Sequence, residues 1–252
     1  MSYHKLIEDF KNIGINKGDD LLIHMSYKSM GYLEGGFDTF FEALKGAVGD
    51  NGTLLLPTLS YRFVTVDNPV FDVKNTSSNV GAFSNYFMRR CGVLRSLNPT
   101  HSVAAYGIRQ EEYVKNHYLD NEPVGENSPF AILPRLGGKV LMLGCGIKCN
   151  TSMHGVEEAV KVPYILSKST RKYTLIDYDD TVTRKDYYYH DMILGHNRAQ
   201  RYDRLYDLME FKKGTVLNAE AYLIDAKTMW EIGSRKMKND PYYFTDYIEG
   251  DK

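Results

Sequence analysis

Three short, uninterrupted apolar runs constrain this chain more than any other feature: LLIHMS (Leu21 to Ser26), GTLLLP (Gly52 to Pro57) and KVLMLG (Lys139 to Gly144). A short apolar run without polar alternation hides both faces of a strand. Strands of that kind belong to sheets covered by helices on each side. The turn signal Lys17-Gly18-Asp19-Asp20 precedes the first run, and Gly49 and Gly52 bracket the turn before the second. Between them, Phe37, Phe40, Phe41, Leu44 and Val48 recur at helical spacing over residues 37 to 48. Strand, helix and strand in this order build parallel pairs, because parallel neighbours need a long crossover between them.

The remaining segments extend this plan. Thr58 to about Asn79 is rich in Asp, Asn, Thr and Ser and reads as a long loop, a feature that is usually functional in compact domains. Residues 80 to 90 read as a helix ending in Arg89 and Arg90, residues 102 to 107 as a strand, and 110 to 118 as a helix. A further helix begins near Thr151 and stops before Pro163. YTLIDYDD and TRKDYYYHD suit a hairpin turning at Asp179-Asp180. Residues 200 to 212 and 227 to 237 read as helices, with the strand pair GTVLNAEAYLIDA between them. The expected fold is α/β, a mixed and mostly parallel sheet flanked by helices with an antiparallel C-terminal portion. No repeat or linker divides the 252 residues, so one domain over 1–252 is expected.

Charge and composition narrow the function. With 31 basic and 32 acidic residues the net charge is -1, which lacks the excess of Lys and Arg that a nucleic-acid binder uses against phosphates. The N-terminus MSYHKLIEDF has no signal-like region, and no apolar run approaches the roughly 20 residues that span a bilayer. No membrane partner and a cytoplasmic location are expected. Cys91, Cys145 and Cys149 are too few and too irregular for a disulfide framework or a paired-thiolate zinc site. The 20 tyrosines, including Tyr187, Tyr188 and Tyr189, suit sugar stacking and equally a subunit interface, so a homodimer is compatible with the composition.

The chemistry concentrates after the third apolar run, in VLMLGCGIKCNTSMHGVEEAV. Asn150 or Thr151 can cap a helix whose first turns hold His154 and Glu157, three residues apart and so on one face, with Glu158 also in reach. The positive end of the helix dipole disfavours imidazolium and keeps His154 available to accept a proton. A carboxylate one turn away orients it. The same spacing also fits a surface ion pair, but ligands in open α/β sheets bind outside the carboxyl ends of the strands. The loops HMSYKSMG (His24 to Gly31) and RSLNPTHS (Arg95 to Ser102) border that edge and carry cations and hydroxyls able to hold phosphates. Gly144-Cys145-Gly146 lacks the third glycine of a dinucleotide turn, and a Cys145 or Cys149 nucleophile with His154 as base rests on sequence proximity alone.

Six ordered blocks together resemble the aminoglycoside 3-N-acetyltransferase family, an α/β, non-GNAT group dependent on acetyl-CoA. They are LLIHMSYKSMG, VGDNGTLLLPT, FDVKNTSSNVG, RSLNPTHSVAAYG, GENSPF and GKVLMLGCGIKCNTSMHGVEEAV. The resemblance implies that acetyl-CoA or another acyl-CoA is co-substrate without a metal, and that acyl transfer to a small-molecule amine acceptor is direct. It also implies that His154 is the base and that Glu157, rather than Glu158, is its partner. His24, Ser26, Lys28, Ser29, Arg95, Ser96, His101 and Ser102 become candidate CoA contacts on the same ground. Two positions depart from the family pattern: Met25 replaces a small hydroxyl residue after the His, and Asn98 replaces a common His before the proline. The implied acceptor is an amino sugar, either an aminoglycoside antibiotic or a nucleotide-linked sugar whose phosphates would meet Lys148, Arg171 or Lys172. Two other classes fit less of the sequence: a metal-dependent amidohydrolase with His24, His101 and His154 as ligands, and a non-catalytic CoA- or sugar-binding protein.

Overall fold

The computed structural model describes residues 2–191 and 197–248. All three apolar runs are buried strands: β1 (Asp20–Met25), β2 (Thr53–Pro57) and, later in the chain, Lys139–Leu143. A first helix, α1 (Ser2–Asn12), precedes β1, and α2 (Gly36–Val48) joins β1 to β2 as the phenylalanine spacing predicts. α1 has no counterpart in the sequence reading. It is amphipathic, burying Leu6 and Phe10 and packing against α2.

The middle of the chain supplies β3 (Val70–Asp72), α3 (Ala82–Phe87), β4 (Leu94–Arg95), β5 (Val103–Gly107), α4 (Gln110–Val114) and α5 (Pro129–Arg135), then β6, the run at Lys139–Leu143. The helix expected at 80–90 is thus shorter, and the one at 110–118 breaks into α4 and a 3₁₀ turn at His117–Leu119. Ser128 caps α5 by accepting from the Ala131 N–H, with Pro129 at the first helical position. Next come α6 (Ser152–Val160), the hairpin β7 (Arg171–Ile176) and β8 (Val182–Tyr187), and β9 (Arg198–Gln200). The chain closes with β10 (Lys212–Val216), β11 (Ala219–Asp225), α7 (Ala226–Asn239) and β12 (Thr245–Tyr247).

The helix expected over 200–212 is corrected. Gln200 ends β9, which pairs with β12, a 3₁₀ helix covers Tyr202–Asp207, and β10 begins at Lys212. Tyr202 and Leu205 are its buried pair, a spacing that three residues per turn satisfies.

The main sheet has the order β10-β11-β6-β1-β2-β5-β4. β6, β1 and β2 are parallel at its centre, while β11 and β5 run antiparallel beside them. β10 and β4 reverse direction again, so five of the seven strands point one way. Strand alternation divides the core. Leu21, Ile23, Leu54, Leu56, Leu141 and Leu143 face α1, α2 and α3 on one side. Leu22, Leu55, Val140 and Met142 face the side filled by residues of α4, α5, α6 and α7. The smaller sheet β3-β7-β8 has its own core of Phe71, Val73, Tyr173, Leu175 and Tyr187. No helix of the described residues is long and apolar enough to cross a membrane.

Candidate active site

The carboxyl ends of β1, β2 and β6 open on a cavity of about 650 Å³, lined by His24 and Met25 from β1, Pro57 from β2 and the residues that follow β6. β6 breaks at Gly144, whose φ of 67° is left-handed and whose missing side chain leaves room for Ser29: a Cβ there would lie 1.7 Å from Ser29 Oγ. The chain then makes a 3₁₀ turn at Ile147–Cys149 and enters α6, where the buried Asn150 side chain accepts from the Ser152 N–H. His154 and Glu157 follow on the cavity side.

His154 Nδ1 lies 2.8 Å from Glu157 Oε2 and 3.0 Å from the Tyr202 hydroxyl. Glu157 is fully buried and also accepts from Tyr202 at 2.7 Å and from Tyr164 at 2.8 Å. Since Tyr202 gives its only proton to Glu157, the proton between His154 and these two oxygens sits on Nδ1. That leaves the lone pair on Nε2, which accepts from the Gln200 amide at 3.0 Å and faces the cavity. Burial, with Glu157 alongside, holds the Tyr202 phenol well above its usual range, so it remains a donor.

Glu158 has its own histidine. His190 Nε2 lies 2.6 Å from Glu158 Oε1, and the same carboxyl group accepts from the Val124 N–H. The His190 ring centroid is 4.6 Å from that of His154 and 4.4 Å from that of His101. Burial, with the neighbouring imidazoles, keeps His190 and His101 well below the ordinary histidine range and lowers His24 to about 3. Burial pushes Glu158 well up. Three of the four histidines in the cavity wall are therefore uncharged at neutral pH.

The candidate cofactor residues separate into two groups. His24 and His101 line the cavity, and the structure brings both to His154. Ser26, Lys28, Ser29, Arg95, Ser96 and Ser102 lie outside its lining. Arg95 is buried with Nε on Thr58 Oγ1 and Ser102 Oγ, Nη2 on the Thr58 carbonyl and Nη1 on the Thr76 carbonyl, so its donors stitch the 58–76 loop together. Ser96 bonds the buried His117 at 2.8 Å, Ser29 donates to the Ser26 carbonyl, and Lys28 is exposed. Asn98, one of the two departures, accepts from the N–H groups of Thr100 and His101 and so holds the loop that presents His101.

Sequence reading missed Tyr164, Tyr202, Gln200 and His190. The last three lie at least 36 residues beyond His154, and no local pattern marks them. Among the described residues, no group of three His, Cys, Asp or Glu side chains is arranged to hold a metal ion, so the ligand set His24, His101 and His154 is not assembled. Cys145 and Cys149 both line the cavity, and contact with Cys145, aided by Lys148, lowers Cys149 to about 6. Lys148 and Arg171 are the only charged side chains other than histidine among the described lining residues, while Lys172 is exposed outside it.

A histidine held by a buried glutamate, beside a cavity at the carboxyl edge of a mixed sheet, is an α/β site suited to moving a proton to or from a ligand. The comparisons give its class. The profile of the aminoglycoside 3-N-acetyltransferase family matches residues 22–238. The chain is 32% identical over 249 residues to aminoglycoside N(3)-acetyltransferase IV of Salmonella sp, covering 98% of this chain and 91% of the relative. The crystal structure of a histidine-to-alanine mutant of the acetyltransferase AAC(3)-IVa in complex with a gentamicin superposes with a TM-score of 0.80 at 32% identity, covering 96% of this chain and 90% of the other. AAC-IIIb in its binary complex with CoASH shares the fold, with a TM-score of 0.79 at 24% identity and coverage of 95% and 97%. The chain belongs to the aminoglycoside 3-N-acetyltransferase family and is a CoA-dependent N-acetyltransferase.

Proposed function

We propose that the enzyme transfers an acetyl group from acetyl-CoA to an amino group of an amino sugar, with His154 as general base. The observation that carries this reading is the geometry of one ring: Nδ1 of His154 meets Glu157 and Tyr202, Nε2 meets the Gln200 amide, and both His154 and Gln200 line the cavity. The ammonium form of an amine has no lone pair, so the acceptor enters the reaction as the free amine. As nitrogen bonds to the thioester carbon it must shed a proton, and Nε2 takes it while the Gln200 amide gives way. Glu157 then stabilises the imidazolium against a buried, hydrogen-bonded carboxylate. Of the candidate CoA contacts, His24 and His101 share the cavity wall with His154.

Relatives are named for aminoglycosides, and the first acceptor class is that one. A second class is favoured by Lys148 and Arg171 in a lining that, among the described residues, holds no carboxylate. Polycations seek acidic walls, whereas a nucleotide-linked amino sugar brings phosphates that two cations would hold.

Thiol release from acetyl-CoA, measured against a panel of aminoglycosides and nucleotide-linked amino sugars, tests both parts. Turnover is expected only with both substrates present, and His154→Ala should lower kcat by about 10²–10⁴-fold. An unchanged rate in that variant would remove His154 from the mechanism. The product mass identifies the acylated acceptor.

A further inference from the structure

Glu157 and Glu158 are neighbours on α6, and each holds a histidine of the same cavity wall, His154 on the first and His190 on the second. The acetyl-transfer scheme uses the first pair and leaves the second without a task. Glu158 is buried, pairs with no Lys or Arg among the described residues, and otherwise only accepts the Val124 N–H, at 3.0 and 3.1 Å from its two oxygens. His190 turns Nε2 to that carboxyl group and keeps 14% of its side-chain surface exposed. Its Nδ1 meets no partner among the described residues, and it is not one of the five sealed atoms left without one, which belong to Asp20, His24, Asn79, Ser152 and Tyr187. With the two rings 4.6 Å apart between centroids, both pairs address one small region of the cavity.

The second pair is built to give a proton where the first takes one. A carboxyl group buried without a cation favours its protonated form, and burial pushes Glu158 up while it lowers His190. Glu158 then donates to Nε2, which puts the ring's own proton on Nδ1. An isolated neutral imidazole that gave up this proton would become an imidazolate. Here Glu158 resupplies Nε2 as the outer proton leaves. The ring stays neutral, and the charge ends on a carboxylate that the Val124 N–H already meets.

We propose that His190 is the general acid of the transfer, giving its Nδ1 proton to the CoA sulfur as the C–S bond breaks, with Glu158 as the positioning residue that resupplies Nε2. The proposal rests on the acetyl-transfer reading. The nitrogen lone pair forms the C–N bond and the carbonyl π pair moves onto oxygen. That pair returns as the C–S bond breaks, and sulfur leaves with its electrons. His154 Nε2 takes one proton from nitrogen, and sulfur takes one from His190. His154 is left as imidazolium and Glu158 as carboxylate. The proton on His154 then returns to Glu158 by way of His190, so that one proton has moved from amine to thiol.

The test assays the full chain carrying His190→Gln or Glu158→Gln with acetyl-CoA and with its selenium analogue, in which C–Se replaces the C–S bond. A selenolate is a weaker base than a thiolate and leaves without a proton, while the rest of the cofactor is unchanged. The amide in Glu158→Gln can still donate to Nε2 but passes no proton on. With acetyl-CoA each variant should lower kcat by about 10²-fold, and with the selenoester each should stay within about threefold of the parent. His154→Ala, which removes the base for nitrogen, should lose activity on both donors. Equal losses on both donors in His190→Gln and Glu158→Gln overturn the proposal and make the pair a structural support of the cavity. So does parental kcat with acetyl-CoA in His190→Gln. If His154→Ala is inactive while His190→Gln is fully active, the base survives and this inference alone fails.

Discussion

Glu157 answers three donors with two oxygens: Tyr164 on Oε1, and both Tyr202 and His154 on Oε2. A glutamine has only one acceptor oxygen, so in Glu157→Gln at least one of these donors must face an N–H₂ group. The expected loss in kcat is about 100-fold or more, with the His154 ring released from its orientation. Tyr202→Phe removes one charge-assisted bond and leaves the contact between His154 and Glu157, for an expected loss of roughly tenfold. If Glu157→Gln turns over within threefold of the parent, the carboxylate does not support the base. The same residues show what could be read from one sequence. His154 and Glu157 were legible because helical spacing is a local property, and the resemblance separated Glu157 from Glu158. Glu158 proved to serve a second histidine, His190, which no spacing rule connects to it. The surroundings of Arg95 are not legible for a physical reason: a cluster of Arg, Ser, Asn and His has one composition whether its donors are spent on loop carbonyls, as two of Arg95's are, or kept for a ligand.

Among elements, the fully buried strands and the long amphipathic α2 and α7 were legible, because burial on a known face leaves a period in the sequence. The stretch 200–212 was not, since β9 is fixed by pairing with β12, more than 40 residues away. The junction between β6 and α6 is where element geometry meets chemistry. Gly144 has φ of 67°, and a Cβ would press on Ser29 Oγ and, at 2.7 Å, on Ser29 Cβ. Gly144→Ala should therefore cost about 1–2 kcal/mol from the backbone alone, with a further steric penalty from the Ser29 loop. In a Ser29→Gly background the steric part should vanish and the backbone part remain. A double-mutant cycle by denaturant unfolding measures the difference. Equal costs in both backgrounds would show that close approach of the two loops is not what this glycine serves.

At the scale of the whole molecule, the fold buries histidines on a large scale, and this couples its stability to pH. His24 and His117 are each lowered to about 3, chiefly by burial, and His101 lies well below its ordinary value for the same reason. In the unfolded chain all three take up protons near their usual value of about 6.5. Between that pH and their native values the unfolded state holds more protons than the folded one, so stability rises with pH and is lost on acidification. Glu158 and His190 must be counted together. Burial raises the acid and lowers the base, so the native pair keeps one proton shared between uncharged partners. The unfolded pair also holds about one proton midway between the ordinary values of its two groups, on the histidine, and its contribution there cancels. Each of the three remaining histidines then contributes up to about 1.4 kcal/mol per pH unit, enough for acid to exhaust a typical folding free energy within a few units. Above about pH 7 the unfolded pair has lost the proton that the native pair keeps, so denaturant midpoints should decline as pH rises there, and on acidification they should fall steeply between about pH 6 and 5. His117→Phe, which lies outside the cavity, should reduce that slope by about one proton even if it lowers stability at neutral pH. A profile flat from neutral pH down to about pH 5 would mean that these rings are charged, or reach water, in the native state.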